Sequence, residues 1–285
     1  MKNFIKSIGK ATVYFGVYFL VQIVISFVYG IVWTVNEMVQ LTAAGEEIND
    51  LLLTEQLLAQ IMDDTMAMTF WAGIVTLLIY WIRFAVRKKN FLKEVELKPI
   101  SVKGILPIVI FAVGFNVIVS VVISNIPWPQ AWMDAYMENS SSLDGSLMSW
   151  LAAVLMAPVL EEIVFRGLIY TRLKKGMPTI VAAILASLVF GLMHGTIIWV
   201  LYAFVLGMVM TWIFERYQSL VANIIFHLAF NAMGLILSAV PKSMEFLIWV
   251  LFVTGIIGTV FAVKQILKIT VVEEGKEVEE KVCEA

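Results

Sequence analysis

Long runs of apolar residues recur along the whole chain, and they constrain its fold more than any motif does. A helix needs about 20 mainly apolar residues to cross the hydrocarbon layer of a bilayer. Eight stretches qualify, at residues 11–35, 67–86, 104–124, 147–163, 179–194, 196–214, 220–239 and 246–263. Composition agrees: of 285 residues, 61% are hydrophobic and 15% charged, against about 45–50% and 25% in ordinary soluble domains. That much apolar side chain cannot be hidden in soluble cores, so the surplus faces lipid. The expected fold class is an all-α polytopic membrane protein, with about eight transmembrane helices in one bundle. Disorder, a secreted disulfide scaffold and a cytosolic enzyme are excluded. The single cysteine, Cys283, supports neither an internal disulfide nor a cysteine-ligated zinc site. It stands third from the end, so the tail is no C-a-a-X box.

Charge is sorted along the chain. Residues 36–66 hold seven acidic residues and no Lys or Arg, and residues 125–146 hold three and none. Residues 83–103 hold seven basic residues, residues 166–175 hold four, and Lys2, Lys6 and Lys10 precede the first span. Cytoplasmic loops collect Lys and Arg, so both termini are expected in the cytoplasm, in a multi-pass protein of the cell membrane. The first apolar run exceeds the ~7–15 residues of a signal-peptide core and reads as a retained anchor. Residues 46–64 carry a rough apolar stripe (Ile48, Leu51, Leu52, Leu58, Met62) among acids, the pattern of a helix on the membrane surface or over the bundle mouth. The tail from Glu273 is acidic. The net charge of −2 argues against a nucleic-acid partner.

The informative residues are the polar ones inside the spans, because an ionisable group at mid-bilayer costs ~2.5–3.5 kcal/mol on insertion scales. They are Glu161, Glu162 and Arg166 in the fourth span, His194 in the fifth, and His227 and Asn231 in the seventh. The two histidines are the only ones in the chain. Residues four apart share a helix face, so Glu162 and Arg166 are expected to pair, leaving Glu161 pointing elsewhere. Pro158 removes a backbone hydrogen bond and is expected to kink the helix beside them. Asn223, His227 and Asn231 form one polar stripe. Gly191 and Gly195 flank His194 in a small-xxx-small pattern that permits close helix approach. Asn116 is read as an interhelical hydrogen bonder.

Glutamate, histidine and asparagine together suit hydrolysis of an amide by water. A carboxylate takes the proton of the attacking water, and histidine and asparagine donors hold the oxyanion. Glu161, His194 and His227 also make a plausible zinc set with one open position, although the chain has no H-E-x-x-H helix. The cofactor reading is thus none or zinc. The same polar cluster is compatible with a proton-coupled transporter or with a non-enzymatic immunity or scaffold protein held together by interhelical hydrogen bonds.

At these residues the chain resembles the CPBP family, the CAAX-protease and bacteriocin-processing intramembrane peptidases. The family's pattern is Glu-Glu-x-x-x-Arg, Phe-x-x-x-His and His-x-x-x-Asn on successive helices. Here it is met by Glu161, Glu162 and Arg166, by Phe190 and His194, and by His227 and Asn231. The resemblance implies an intramembrane endopeptidase acting on a membrane-associated protein or peptide, prenylated or bacteriocin-like. It implies that Glu161 with His194 activates water, that His227 and Asn231 hold the oxyanion, and that Glu162 and Arg166 shape the site. It is compatible with either a glutamate-type or a metal-dependent protease. The expected organisation is three N-terminal spans in residues 1–146, a catalytic core in 147–239, and a last helix with the acidic tail in 240–285. The basic loops flank the nearer side of the polar cluster, so its cavity is expected to open to the cytoplasm.

Overall fold

The computed structural model describes residues 2–47, 49–141 and 146–269. Ile48, the acidic tail and Cys283 lie outside the described residues. Those described form helices and short connections, with no strand among them. The helices are α1 (Lys2–Ala44), α2 (Asp50–Asp63), α3 (Thr65–Val86), the short α4 (Phe91–Glu94), α5 (Val102–Asn125) and α6 (Gln130–Ser141). They continue with α7 (Leu147–Leu173), α8 (Thr179–Leu192), α9 (Ile197–Tyr217), α10 (Leu220–Ser238) and α11 (Glu245–Leu267).

Seven helices among the described residues are long and apolar enough to cross a membrane: α1, α3, α5, α7, α9, α10 and α11. The fifth expected span differs. Its helix, α8, has 14 residues and stops before His194, because Gly195 turns the chain with a left-handed φ of 82° that other residues adopt only under strain. The first span also differs. With no proline to stop it, α1 runs for 43 residues, about 65 Å, well past the thickness of a bilayer. It ends at Gly45, whose φ of 74° lets the Glu46 amide reach back to the Leu41 carbonyl in a Schellman-type close.

The acidic outer segment folds as α2, capped by the Asn49 side chain, which accepts from the Leu51 and Leu52 amides. Leu53 is buried, whereas Leu51, Leu52, Leu58 and Met62 are exposed. The stripe therefore faces outward rather than into the bundle.

Helix α7 is the strut of the fold. Every residue from Glu162 to Tyr170 is buried, and α1, α3, α8 and α10 pack around it. Pro158 lies in a short α-helical stretch, Ala157–Glu161, between two departures from α geometry. The helix widens into π-helical turns on both sides of it, at Trp150–Met156 and Glu162–Tyr170, a distortion common at functional sites. Large apolar side chains of α1, α8 and α11 remain exposed, the surface a bilayer covers. Asn116 bonds the Phe230 carbonyl at 2.9 Å and ties α5 to α10. At the other end of the bundle, buried Arg172 joins α7 to α4 through the Glu94 carboxylate, 2.7 Å away, and the Glu94 carbonyl.

Candidate active site

The expected pairing of Glu162 with Arg166 is present: Oε1 and Nη1 are 2.7 Å apart, with the side chains 0% and 1% exposed. A buried charge is tolerated only when paired and hydrogen-bonded, and both groups meet that condition. Glu162 Oε1 also accepts from His227 Nδ1 at 3.0 Å, and its Oε2 accepts from Asn223 Nδ2 at 3.0 Å. Arg166 donates Nη2 to the Gly207 carbonyl at 3.1 Å and lies 4.5 Å from the centre of the Phe190 ring. Glu162 is therefore committed to structure.

Glu161 is different. It is 17% exposed, its Oε2 lies 3.8 Å from His227 Nε2, and no described hydrogen bond claims its carboxylate. His227 thus stands between the two glutamates. Its Nδ1 hydrogen goes to Glu162, and its Nε2 faces Glu161.

His194 occupies the turn after α8. Its Nδ1 lies 2.8 Å from the Phe190 carbonyl. A carbonyl only accepts, so Nδ1 carries the proton and, in the neutral ring, Nε2 keeps its lone pair. Glu161 lies within Coulombic reach of His194 and of the hydroxyls of Tyr18 and Tyr202. Phe190 joins the parts, with its ring centroid 4.8 Å from that of His194 and 6.1 Å from that of His227.

The polar stripe of α10 meets α7. Asn223 and His227 reach Glu162, and Asn231 donates Nδ2 to the Ala153 carbonyl at 2.7 Å. One glycine expectation is corrected. Gly191 is at a close helix contact, where an added Cβ would sit 2.8 Å from the Val200 carbonyl oxygen. Gly195 faces open space, because the helix has already ended. Its role is the left-handed turn.

Four neighbouring groups were not anticipated. Trp199 stacks against His194, with centroids 6.1 Å apart and planes 30° apart, and its Nε1 is buried without a partner among the described residues, as is Thr196 Oγ1. Tyr18 and Tyr202 are the other two, each near enough to Glu161 to feel its charge. A polar tip inside an apolar run is the signal that marks them, although aromatic residues are too common in such spans for it to single them out.

Among the described residues no three His, Cys, Asp or Glu side chains converge as a metal site. The Nδ1 contacts of His227 with Glu162 and of His194 with the Phe190 carbonyl leave both Nε2 atoms open, as they also are in histidines that bind metal.

Comparison with known families agrees with the motifs. Residues 143–233 match a family model described as Rce1-like, type II CAAX prenyl endopeptidase Rce1-like. That stretch contains all three motifs, and the match is consistent with the CPBP resemblance. The match supports a CAAX-type protease, and the long apolar helices fit a multi-pass membrane protein. No curated protein and no solved structure matches the chain.

Proposed function

We propose that the chain hydrolyses a peptide bond of a membrane-associated protein or peptide, prenylated or bacteriocin-like, with water activated by Glu161. The observation that carries this reading is the division between the two glutamates. Glu162 is buried and paired, while no described hydrogen bond claims its neighbour Glu161, which lies 3.8 Å from His227.

In this reading a water molecule between Glu161 and His194 attacks the carbonyl carbon, and Glu161 takes its proton. His194 Nε2 accepts the water's other hydrogen and orients it. The oxyanion forms beside His227. As imidazolium, His227 donates from Nδ1 to Glu162 and from Nε2 to the oxyanion. Glu161 then returns the proton to the departing amine, the tetrahedral intermediate collapses, and acid and amine products form. Glu162, Arg166 and Asn223 hold His227 in place throughout. The resemblance assigns Asn231 to the oxyanion as well, whereas its one described hydrogen bond goes to the Ala153 carbonyl.

Glutamate-driven attack is supported by the absence, among the described residues, of three donor side chains converging as a metal site. We further propose that the protein lies in the cell membrane with both termini and the basic loops 83–103 and 166–175 cytoplasmic, so that the cavity opens to that side.

The test uses the purified protein in lipid nanodiscs with a prenylated C-a-a-X peptide and a transmembrane peptide as probes. Wild type cleaves one of them in the presence of chelator, whereas Glu161→Gln and His194→Ala do not, each with the wild-type melting temperature. Turnover retained by Glu161→Gln would overturn the mechanism.

A further inference from the structure

We propose that Asn231 is a positioning residue that supplies the hydrogen bond Pro158 cannot make, and so sets the approach of His227 to Glu161. The argument begins with the backbone of α7. In its first π-helical segment the Ala157 amide donates to the Ala152 carbonyl, five residues back. In that register the next amide, at position 158, belongs to the Ala153 carbonyl. Proline has no amide hydrogen, so the Ala153 carbonyl loses its donor. It lies inside a membrane-spanning helix, where an unsatisfied backbone group costs several kcal/mol.

Asn231 Nδ2 stands 2.7 Å from that carbonyl oxygen. It comes from α10, one helical turn beyond His227 and on the same face. The missing intrahelical bond is thereby replaced by one between helices. Asn223, one turn before His227, makes the matching bond to Glu162 at 3.0 Å. The two asparagines bracket His227 and lock α10 against α7 on both sides of Glu161. A small slip of one helix along the other would break both bonds and change the 3.8 Å approach of His227 Nε2 to Glu161 Oε2. Asn231 acts through that register, with no need to touch the reacting atoms.

The inference rests on the proposed peptidase reading only where activity is measured. The test is a double-mutant cycle of wild type, Pro158→Ala, Asn231→Ala and the double variant, with Pro158→Gly as a second way to restore the amide. Alanine at 158 gives Ala153 a backbone donor whether the segment stays π-wound or returns to α, since the amide of 158 or of 157 then serves it. Melting temperature is read in nanodiscs, and kcat and KM are read on the prenylated C-a-a-X peptide. Asn231→Ala is expected to lower the melting temperature and to reduce kcat by about tenfold or more. Either position-158 change in the Asn231→Ala background is expected to restore both most of the way.

An oxyanion donor behaves differently, because its loss costs ~10²–10³ in kcat whatever residue stands at 158. A kcat that stays low in the double variant overturns the proposal, whether or not the melting temperature recovers. So does an Asn231→Ala protein that fails to insert and is not rescued at 158. If wild type cleaves no probe, the peptidase reading fails, while the melting-temperature cycle still decides whether Asn231 replaces the proline's missing donor.

Discussion

His227 gives its Nδ1 hydrogen to Glu162 across 3.0 Å and so presents Nε2 to Glu161, 3.8 Å away. Two adjacent glutamates therefore hold opposite ends of one imidazole, and their different surroundings divide the work between them. Glu162 is locked among Arg166, His227 and Asn223. Glu161 keeps its carboxylate for the substrate side.

That division predicts opposite stability effects. Removing one partner of a buried pair leaves an uncompensated charge and costs ~3–5 kcal/mol. Glu162→Ala should lower the melting temperature in nanodiscs markedly and reduce the yield of inserted protein. Glu161→Ala should melt within a degree or two of wild type while losing cleavage. A Glu162→Ala protein as stable as wild type would contradict the structural role.

Phe190 touches both histidine rings and the Arg166 guanidinium. A desolvated cation–π contact is worth about 2 kcal/mol, and leucine keeps the apolar volume without the ring. Phe190→Leu should reduce kcat roughly tenfold or more with a smaller effect on KM, because the change loosens the catalytic histidines rather than a substrate contact. Steady-state kinetics on the prenylated peptide measure the split.

Gly191 sets how closely α8 lies against α9. A Cβ there would meet the Val200 carbonyl oxygen at 2.8 Å and the Phe204 amide nitrogen at 3.2 Å. Overpacking of this kind costs ~1–3 kcal/mol, and the displacement is carried three residues on to His194. Gly191→Ala should lose both stability and turnover. Gly9→Ala, where nothing lies within 4 Å, should leave turnover unchanged and raise stability slightly, since alanine is the better helix former.

Acid should loosen the tie between α4 and α7. Partial burial of Glu94 opposes its charged form, but the hydrogen bond from Lys89 and the charges of Arg172, Lys89 and Lys175 outweigh it and hold the carboxyl below the ordinary value of 4.5. A carboxylate whose pKa is depressed on folding contributes stability above its unfolded value and loses that contribution as pH falls through the folded one. Glu94→Gln should therefore melt below wild type at neutral pH. The gap should narrow as pH drops below about 4.5, which paired melting curves across pH will show.

Seven of the eight expected spans and the polar cluster between them were legible in the sequence, because lipid makes polar residues conspicuous. Glu161, Glu162, Arg166, His194, His227 and Asn231 stand out against their apolar neighbours, and the four-residue spacing of Glu162 and Arg166 announces their ion pair. What spacing cannot give is the contact between helices. The stripe of Asn223, His227 and Asn231 was visible, but that Asn223 would hold Glu162, or Asn231 the Ala153 carbonyl, depends on how α10 sits against α7. Sequence carries no signal for the π-helical winding on either side of Pro158. Helix ends were least legible. Gly195 fits a small-residue helix contact and a left-handed turn equally well, and only the path of the chain into α9 separates them.

The turn at His194, Gly195 and Thr196 ends a helix of 14 residues, about 21 Å long, beside an α9 of 21 residues that crosses fully. Against a hydrocarbon layer ~30 Å thick, α8 is too short by about a third. Hydrophobic mismatch of this kind is relieved by thinning of the bilayer next to the short helix. The turn is the end of α8 away from the 166–175 loop, so a thinned collar there brings the opposite aqueous boundary toward His194 without a channel through the protein. On the proposed peptidase reading, turnover is then expected to rise in short-chain bilayers and to fall in thick, sterol-rich ones.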